Sequence, residues 1–238
     1  MSLQEAWEEH ASAWAAWARS PGHDSYWRFH RDQFLELVPP PGRLTLDVGC
    51  GEGRLSRDLK ALGHTVIGVD ASPTLVAAAR AAAPEIEVHA ADACALPFAD
   101  GHADLALAFM SPQDFDDHSA AFREIARVLQ PGGCFVFAIV HPLNSTGRFR
   151  LPYTDASPFV IEGSYLDSFR YVDVLERDGL EMTFVSEHRP IEAYFRALEQ
   201  AGLLVEALRE HKVAPGGSRH EALWSRVPLF LHVRARRP

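Results

Sequence analysis

Cysteine is scarce in this chain. Three occur among 238 residues, Cys50, Cys94 and Cys134. An odd number at wide spacing forms no disulfide framework and no zinc-site pairing, which fits a reducing interior. A positive balance is missing too: 23 Lys and Arg face 32 Asp and Glu, for a net charge of −9. A general nucleic-acid or anionic-membrane binder needs a basic face, so both roles are disfavoured. No apolar run approaches the ~20 residues that cross a bilayer. The first ten residues are acidic and lack the basic and apolar regions of a secretion signal. A cytoplasmic protein is the expectation. With 47% hydrophobic and 23% charged residues, the composition is that of an ordinary folded chain long enough for one large core. Against these absences stands one excess. Four of the five tryptophans, Trp7, Trp14, Trp17 and Trp27, fall within the first 27 residues.

Residues 3–19 are rich in Ala and Trp at helical spacing, and 23–38 reads as a second helix. Pro39-Pro40-Pro41-Gly42 then breaks the chain. Beyond it strands and helices alternate. Strands are expected at 44–48, 65–69, 86–90, 103–109 and 134–140, and helices at 53–62, 73–83 and 117–130, with Pro73 at a first helical position. Such alternation means βαβ units and a parallel sheet covered on both faces. From 141 to 189 the rhythm stops. That stretch is loop-like, carries Phe149, Tyr153, Phe159, Tyr165, Phe169 and Tyr171, and ends in a hairpin of 171–176 and 180–186 about Arg177-Asp178-Gly179. Helix 190–201 and strands 203–209 and 227–234 follow. The last two, joined by a Pro/Gly-containing loop at 214–218, suit an edge hairpin. The chain thus divides into a helical N-terminal cap, 1–38, and a main α/β domain, 39–238, with an insertion at 141–189.

Asp47-Val48-Gly49-Cys50-Gly51-Glu52-Gly53 follows the first strand and opens a helix. In an open parallel sheet, ligands bind beyond the strand C-termini, and glycines let backbone approach them closely. A dinucleotide fingerprint requires G-x-G-x-x-G with pyrophosphate on the helix N-terminus. Here the sixth position is Arg54 counted from Gly49 and Ser56 counted from Gly51. Asp47 and Glu52 would also set negative charge beside a pyrophosphate. A cationic ligand without phosphate suits the loop better, and S-adenosylmethionine (SAM), with an ammonium and a sulfonium, is one. Asp70 closes the second strand, where an acid can accept from both ribose hydroxyls. Asp92 follows the third strand, placed to accept from an adenine amino group or to cap a turn.

Four segments, Leu44–Leu59 (LTLDVGCGEGRLSRDL), Val69–Val76 (VDASPTLV), Ala91–Phe98 (ADACALPF) and Arg123–Gly133 (REIARVLQPGG), resemble in order the successive motifs of the class I SAM-dependent methyltransferases. The resemblance spans 44–140. It implies a Rossmann-like, doubly wound α/β sheet of seven strands, mostly parallel with the last antiparallel. It implies that Asp47, Gly49 and Gly51 line the methionine part of SAM, that Asp70 holds the ribose and that Leu75 packs on the adenine. Asp92 and the Ala93 backbone would read the adenine edge, and Phe109 and Met110 would border the site. Cys50 and Ala71 belong to the same cofactor set. Tyr26 and Arg31 are either within reach of the SAM carboxylate or exposed helix positions. Enzymes of this class that methylate adenine or amide nitrogens carry Asn/Asp-Pro-Pro-aromatic after the fourth strand. Met110-Ser111-Pro112-Gln113-Asp114 departs from that pattern, which speaks against base and amide methylation. Asp114, Asp116 and Asp117 read as a helix N-cap rather than a Mg²⁺ site, and no metal is expected.

SAM is already activated, so the protein has mainly to align a nucleophile and exclude water. A general base is needed only if the acceptor loses a proton. The acceptor pocket should come from 1–38 and 141–189, whose aromatics suit an apolar, aromatic acceptor or simply pack the insertion onto the sheet. His141, directly after the fifth strand, is the first candidate base, or a structural His bonded to a carbonyl; Tyr153 and Tyr165 follow. Trp7, Trp14 and Trp17, at spacings of seven and three, form one helical stripe. The stripe is expected on the cofactor-side rim of the sheet, with Tyr26 and Trp27 where a lid begins. The expected activity is methyl transfer to oxygen, nitrogen or carbon of a small aromatic or heteroaromatic metabolite, in secondary metabolism. The protein would be a monomer or homodimer without nucleic-acid or membrane partners. The alternatives are a nicotinamide-dependent oxidoreductase and an RNA or protein methyltransferase.

Overall fold

A capping box starts the first helix, α1 (Leu3–Arg19): Ser2 Oγ accepts from Glu5 N at 3.0 Å, and the Glu5 carboxylate takes the Ser2 N–H at 2.7 Å. The computed structural model describes residues 1–212 and 218–238. The stretch 23–38 is not the single helix expected. A turn at Ser20–His23 leads into a wide π-type turn, Tyr26–His30, and a short helix, α2 (Arg31–Leu35). The wide turn brings Tyr26, His30 and Phe34 onto one face, where each ring meets Phe109 edge-on. Tertiary packing, not local propensity, sets this geometry.

The alternating core follows as β1 (Thr45–Val48), α3 (Arg54–Ala61), β2 (Val66–Asp70), α4 (Pro73–Ala82), β3 (Glu87–Ala90), β4 (Ala103–Phe109), α5 (His118–Val128) and β5 (Leu129–Val140). The insertion is more ordered than loop-like. It contains α6 (Pro142–Thr146), a ribbon of β6 (Gly147–Phe149) and β7 (Phe159–Ile161), and a hairpin of β8 (Phe169–Arg177) and β9 (Leu180–His188). The hairpin turns through Asp178 and Gly179, both at positive φ, 51° and 76°, the pairing that matches strand twist. Then come α7 (Ile191–Gln200), β10 (Leu204–Glu210), α8 (Arg219–Leu223) and β11 (Phe230–Arg236). β10 and β11 pair antiparallel; of the loop expected at 214–218, residues 214–217 lie outside the described residues.

Seven strands form one sheet in the order β3-β2-β1-β4-β5-β11-β10, parallel except for β11, which runs antiparallel to both neighbours. This is the sheet that the sequence resemblance implies. One face packs Leu46, Val48, Phe135 and Phe137 against Phe122 and Ile125 of α5 and Leu198 of α7. The other packs Leu107 and Val136 toward Leu55 and Leu59 of α3, Val76 of α4, Tyr26 and Phe34. The strand order reverses between β1 and β4, and an open α/β sheet makes its binding crevice at such a point. Among the described residues no helix is long and apolar enough to cross a membrane.

Candidate active site

The loops after β1, β2 and β4 surround a cleft of about 620 Å³. Gly49 N and Cys50 N both donate to Val69 O, at 2.7 and 3.0 Å, and pin the glycine loop to the end of β2. Gly49 lies at φ 74°, and a Cβ there would stand 2.4 Å from Ser111 Cβ. Only glycine passes between the β1 and β4 loops at this point. Asp47, at the end of β1, is buried and accepts from Ser56 Oγ at 2.5 Å. Burial pushes its carboxyl up to about 6. Asp70 accepts from Gly51 N at 2.7 Å through one oxygen and from Ser72 N at 2.9 Å through the other. Each oxygen keeps a second lone pair for a ribose hydroxyl. Burial raises the Asp70 carboxyl as well, against the pull of those two N–H donors. Burial, then the nearby Asp70 and Asp47, holds Cys50 as a neutral thiol. Ala71, Leu75, Asp92, Ala93, Phe109 and Met110 complete this end of the cleft.

These groups fit SAM and not a dinucleotide. They present carboxylates, which match an ammonium and ribose hydroxyls, and among the described residues no unpaired Lys or Arg lines the cleft for a pyrophosphate. Arg54, the one arginine lining the cleft among the described residues, is ion-paired with Asp24 and lies over the rings of Trp14 and Tyr26, at 4.8 and 5.3 Å. Glu52 is buried inside the loop and is held by Arg57 at 2.9 Å and Arg19 at 3.1 Å.

The sequence-derived candidate bases lie outside the cleft, and the reading of them needs correction. His141 is buried behind the end of β5. Its Nδ1 accepts from Leu143 N at 3.1 Å, capping α6, so Nε2 carries the proton and donates to Glu210 Oε1 at 2.9 Å. With both ring nitrogens engaged, it is a helix cap. Tyr153 stacks on His220, with centroids 4.4 Å apart, and is one layer removed from the cleft. Tyr165 OH accepts from Ile191 N at 3.2 Å at the start of α7. Tyr26 is fully buried, and its hydroxyl donates to Asp58 Oδ2 at 2.7 Å, the atom that Arg31 Nε also reaches at 2.7 Å. Tyr26 therefore backs the wall formed by Phe109 and offers no hydroxyl to a cofactor. Trp27 is 56% exposed and points away.

The other end of the cleft is built by α1 and the β8–β9 hairpin. Trp7, Trp14 and Trp17 all meet Phe184 of β9 edge-on, with centroids 6.4, 5.8 and 6.3 Å away. On the same hairpin face, Tyr171 pairs across with Ser186 and Asp173 with Phe184, and all four residues line the cleft. The three acids after β4 have three separate roles. Asp117 caps α5 by accepting from Ala120 N at 2.8 Å, and Asp116 accepts from Leu3 N at 2.8 Å at the start of α1. Asp114 instead faces the cleft. It accepts from Ser186 Oγ at 2.6 Å and Gln113 Nε2 at 3.3 Å. Burial pushes its carboxyl up to about 8, although Ser186, Trp7 and Arg189 pull it down. Arg189, itself 3% exposed, stitches the loop beneath by donating to the carbonyls of Pro112, Gln113 and Phe115. The sequence reading missed Asp114 as a cleft group, along with Gln113, Asp173 and Ser186. The usable signal was the period-two placement of Tyr171, Asp173 and Leu175 opposite Phe184 and Ser186.

The model of a methyltransferase domain matches residues 46–137. Demethylmenaquinone methyltransferase of Chlorobaculum parvum is 31% identical over 192 residues, covering 77% of this chain and 76% of that protein. The Thermus thermophilus protein of the same name is 38% identical over 138 residues, covering 56% of this chain and 61% of its own length. Among solved structures, a SAM-dependent methyltransferase from Mesorhizobium loti superimposes with a TM-score of 0.72 at 26% identity. The match covers 87% of this chain and 96% of that one.

Proposed function

The chain belongs to the class I SAM-dependent methyltransferases, and we propose that it methylates a small molecule with a flat aromatic or heteroaromatic body. The observation that carries this reading is the continuity of the cleft. It runs from the glycine loop into a chamber walled by Trp7, Trp14, Phe184, Trp224 and Phe230, which accepts planar apolar surface and rejects an extended polar chain. The quinone named for the relatives above is one such body.

When bound, SAM supplies a methyl group on a sulfonium. The residues of the chain hold, orient and shield. The Asp47 carboxylate suits the ammonium, Asp70 the ribose hydroxyls, and Asp92 with the Ala93 backbone the adenine edge. Residues 1–38 act as a cap and 141–189 as the acceptor-side insertion, closing the cleft from water. The acceptor atom, whether oxygen, nitrogen or carbon, is then aligned by the chamber walls, and proximity supplies most of the acceleration.

Incubation with methyl-labelled SAM and separate pools of aromatic small molecules, transfer RNA and protein tests the reading. Label is expected in an aromatic small molecule, with S-adenosylhomocysteine formed in equal amount. Label confined to RNA or protein would overturn it.

A further inference from the structure

We propose that the acceptor's reacting group is an amine, received between the side-chain carbonyl of Gln113 and the carboxylate of Asp114, and that Asp114 takes its proton. The proposal rests on the methyltransferase reading above and narrows its acceptor.

The first argument is an unanswered acceptor atom. Gln113 is 4% exposed and lines the cleft. Its Nε2 donates to Met110 O and to Asp114 Oδ2. Only the amide nitrogen can do so, which fixes the orientation of the group. Its Oε1 therefore stands buried beside Asp114 with no hydrogen-bond partner among the described residues. A buried acceptor without a donor is costly, and a ligand N–H answers it where a C–H does not.

The second argument is charge and ring chemistry. Asp114 and Asp173 flank Tyr171, Phe184 and Trp7 in the acceptor half of the cleft. The two arginines nearest that half among the described residues are already engaged: Arg54, over Trp14, is ion-paired with Asp24, and Arg189, beneath Asp114, donates to three backbone carbonyls. Aromatic faces next to carboxylates attract cations and repel anions, so an acceptor arriving as an ammonium is favoured over a carboxylate, a phosphate or a phenolate.

The third argument separates nitrogen from oxygen. The cleft has a phenol of its own, Tyr171, whose pKa is driven far up, first by burial and then by the nearby Asp114. An acceptor phenol in the same place would stay protonated and poorly nucleophilic. The Asp114 carboxyl, at about 8, instead matches an amine, whose pKa in water runs from about 8 to 10. At pH 7 the free carboxyl still holds most of its own proton, and an ammonium entering beside it expels that proton to solvent. The one proton that remains is shared: it leaves the ammonium nitrogen for a carboxylate oxygen, and the nitrogen keeps the lone pair.

Titration calorimetry on protein saturated with S-adenosylhomocysteine tests this, using 2-(1-naphthyl)ethylamine against its matched alcohol, 2-(1-naphthyl)ethanol. The amine is expected to bind about tenfold or more tighter. Repeating the titration in buffers of different ionisation enthalpy should reveal release of about one proton per amine at pH 7, and none for the alcohol. Asp114→Asn should abolish both the preference and the proton release while leaving the S-adenosylhomocysteine affinity within about twofold. Equal binding of the two ligands, or tighter binding of the alcohol, overturns the proposal. So does a variant that loses cofactor-product affinity, since Asp114 would then belong to the cofactor half. The buffer series on the unsubstituted protein decides the matter even if the variant does not fold. Failure of that protein to bind S-adenosylhomocysteine at all would instead overturn the cofactor reading beneath it.

Discussion

Asp47 and Asp114 are both carboxyls raised by burial, and their surroundings give them different uses. Asp47 sits at about 6 with one short bond from Ser56, so it is largely ionised at neutral pH and ready for an ammonium. In the role proposed for it, the charged form is the one that binds. As pH falls from 7 to 5 the carboxylate takes up a proton, and the affinity for SAM should fall about tenfold. Calorimetry across that range checks this; Asp47→Asn should bind weakly and without the pH slope, and a flat profile in the unsubstituted protein would remove Asp47 from the ammonium's partners. The placement of Asp47, Gly49 and Asp70 around the cleft was legible in the sequence because it is set locally: a strand end, a loop that only glycine can follow, a second strand end. Asp114 was not. Its environment is assembled from Ser186, 72 residues away, and from α1. His141 misled for the reverse reason, since its place after β5 is right for a base but its ring is held by α6 and Glu210.

Among the elements, α1 has the most to do with the site. Its Trp stripe meets Phe184, while Glu8 accepts from Ser72 Oγ and from Thr74 Oγ1 at 2.6 Å, at the N-terminus of α4. Glu8→Ala leaves two hydroxyls without their acceptor and unties α1 from α4. Stability should drop by about 1–2 kcal/mol, and the amides of residues 3–19 should exchange faster, as read by hydrogen-exchange mass spectrometry. Unchanged protection there would mean that the tryptophans alone hold the helix. The start of α1 carries a local signature, Ser2 and Glu5. The irregular 23–38 segment carries none, because its wide turn is imposed by Phe109. The centre of the β8–β9 hairpin was readable from Asp178-Gly179. Its full length was not, because the outer pairs, Phe169–His188 and Arg170–Glu187, are not marked by any turn residue.

At the scale of the molecule, two buried histidines, His30 and His232, and the half-buried His211 join distant parts of the chain. His30 Nδ1 and His232 Nε2 share a hydrogen bond at 2.9 Å, and the His211 ring lies 4.9 Å from that of His232. Burial depresses all three, with His232 down to about 3 and His30 well below its ordinary value; Glu36 pulls His211 the other way while Arg209 adds to its fall. Below the unfolded pKa of about 6.5 the unfolded chain takes up protons that the folded chain refuses, so these groups stabilise the fold above that pH and cease to as it falls. Asp47 and Asp114, with raised values, act in the opposite sense over part of the same window, and a variant isolates the histidines. The stability advantage of the unsubstituted protein over His232→Phe, read from denaturant unfolding, should shrink as pH falls from 7 to 5, by up to about 1.4 kcal/mol per pH unit below about 6.5. A constant difference would mean that the ring serves only to fill space. A last consequence concerns Trp7 and Glu8, neighbours on one rigid helix. One lines the chamber proposed for the acceptor and the other holds the α4 terminus beside Asp70 and Leu75. A ligand that settles the helix from either side prepares it for the other, and such coupling is reciprocal: the factor by which cofactor tightens acceptor equals the factor by which acceptor tightens cofactor. A cap in the role proposed for it would make two binding events one thermodynamic unit.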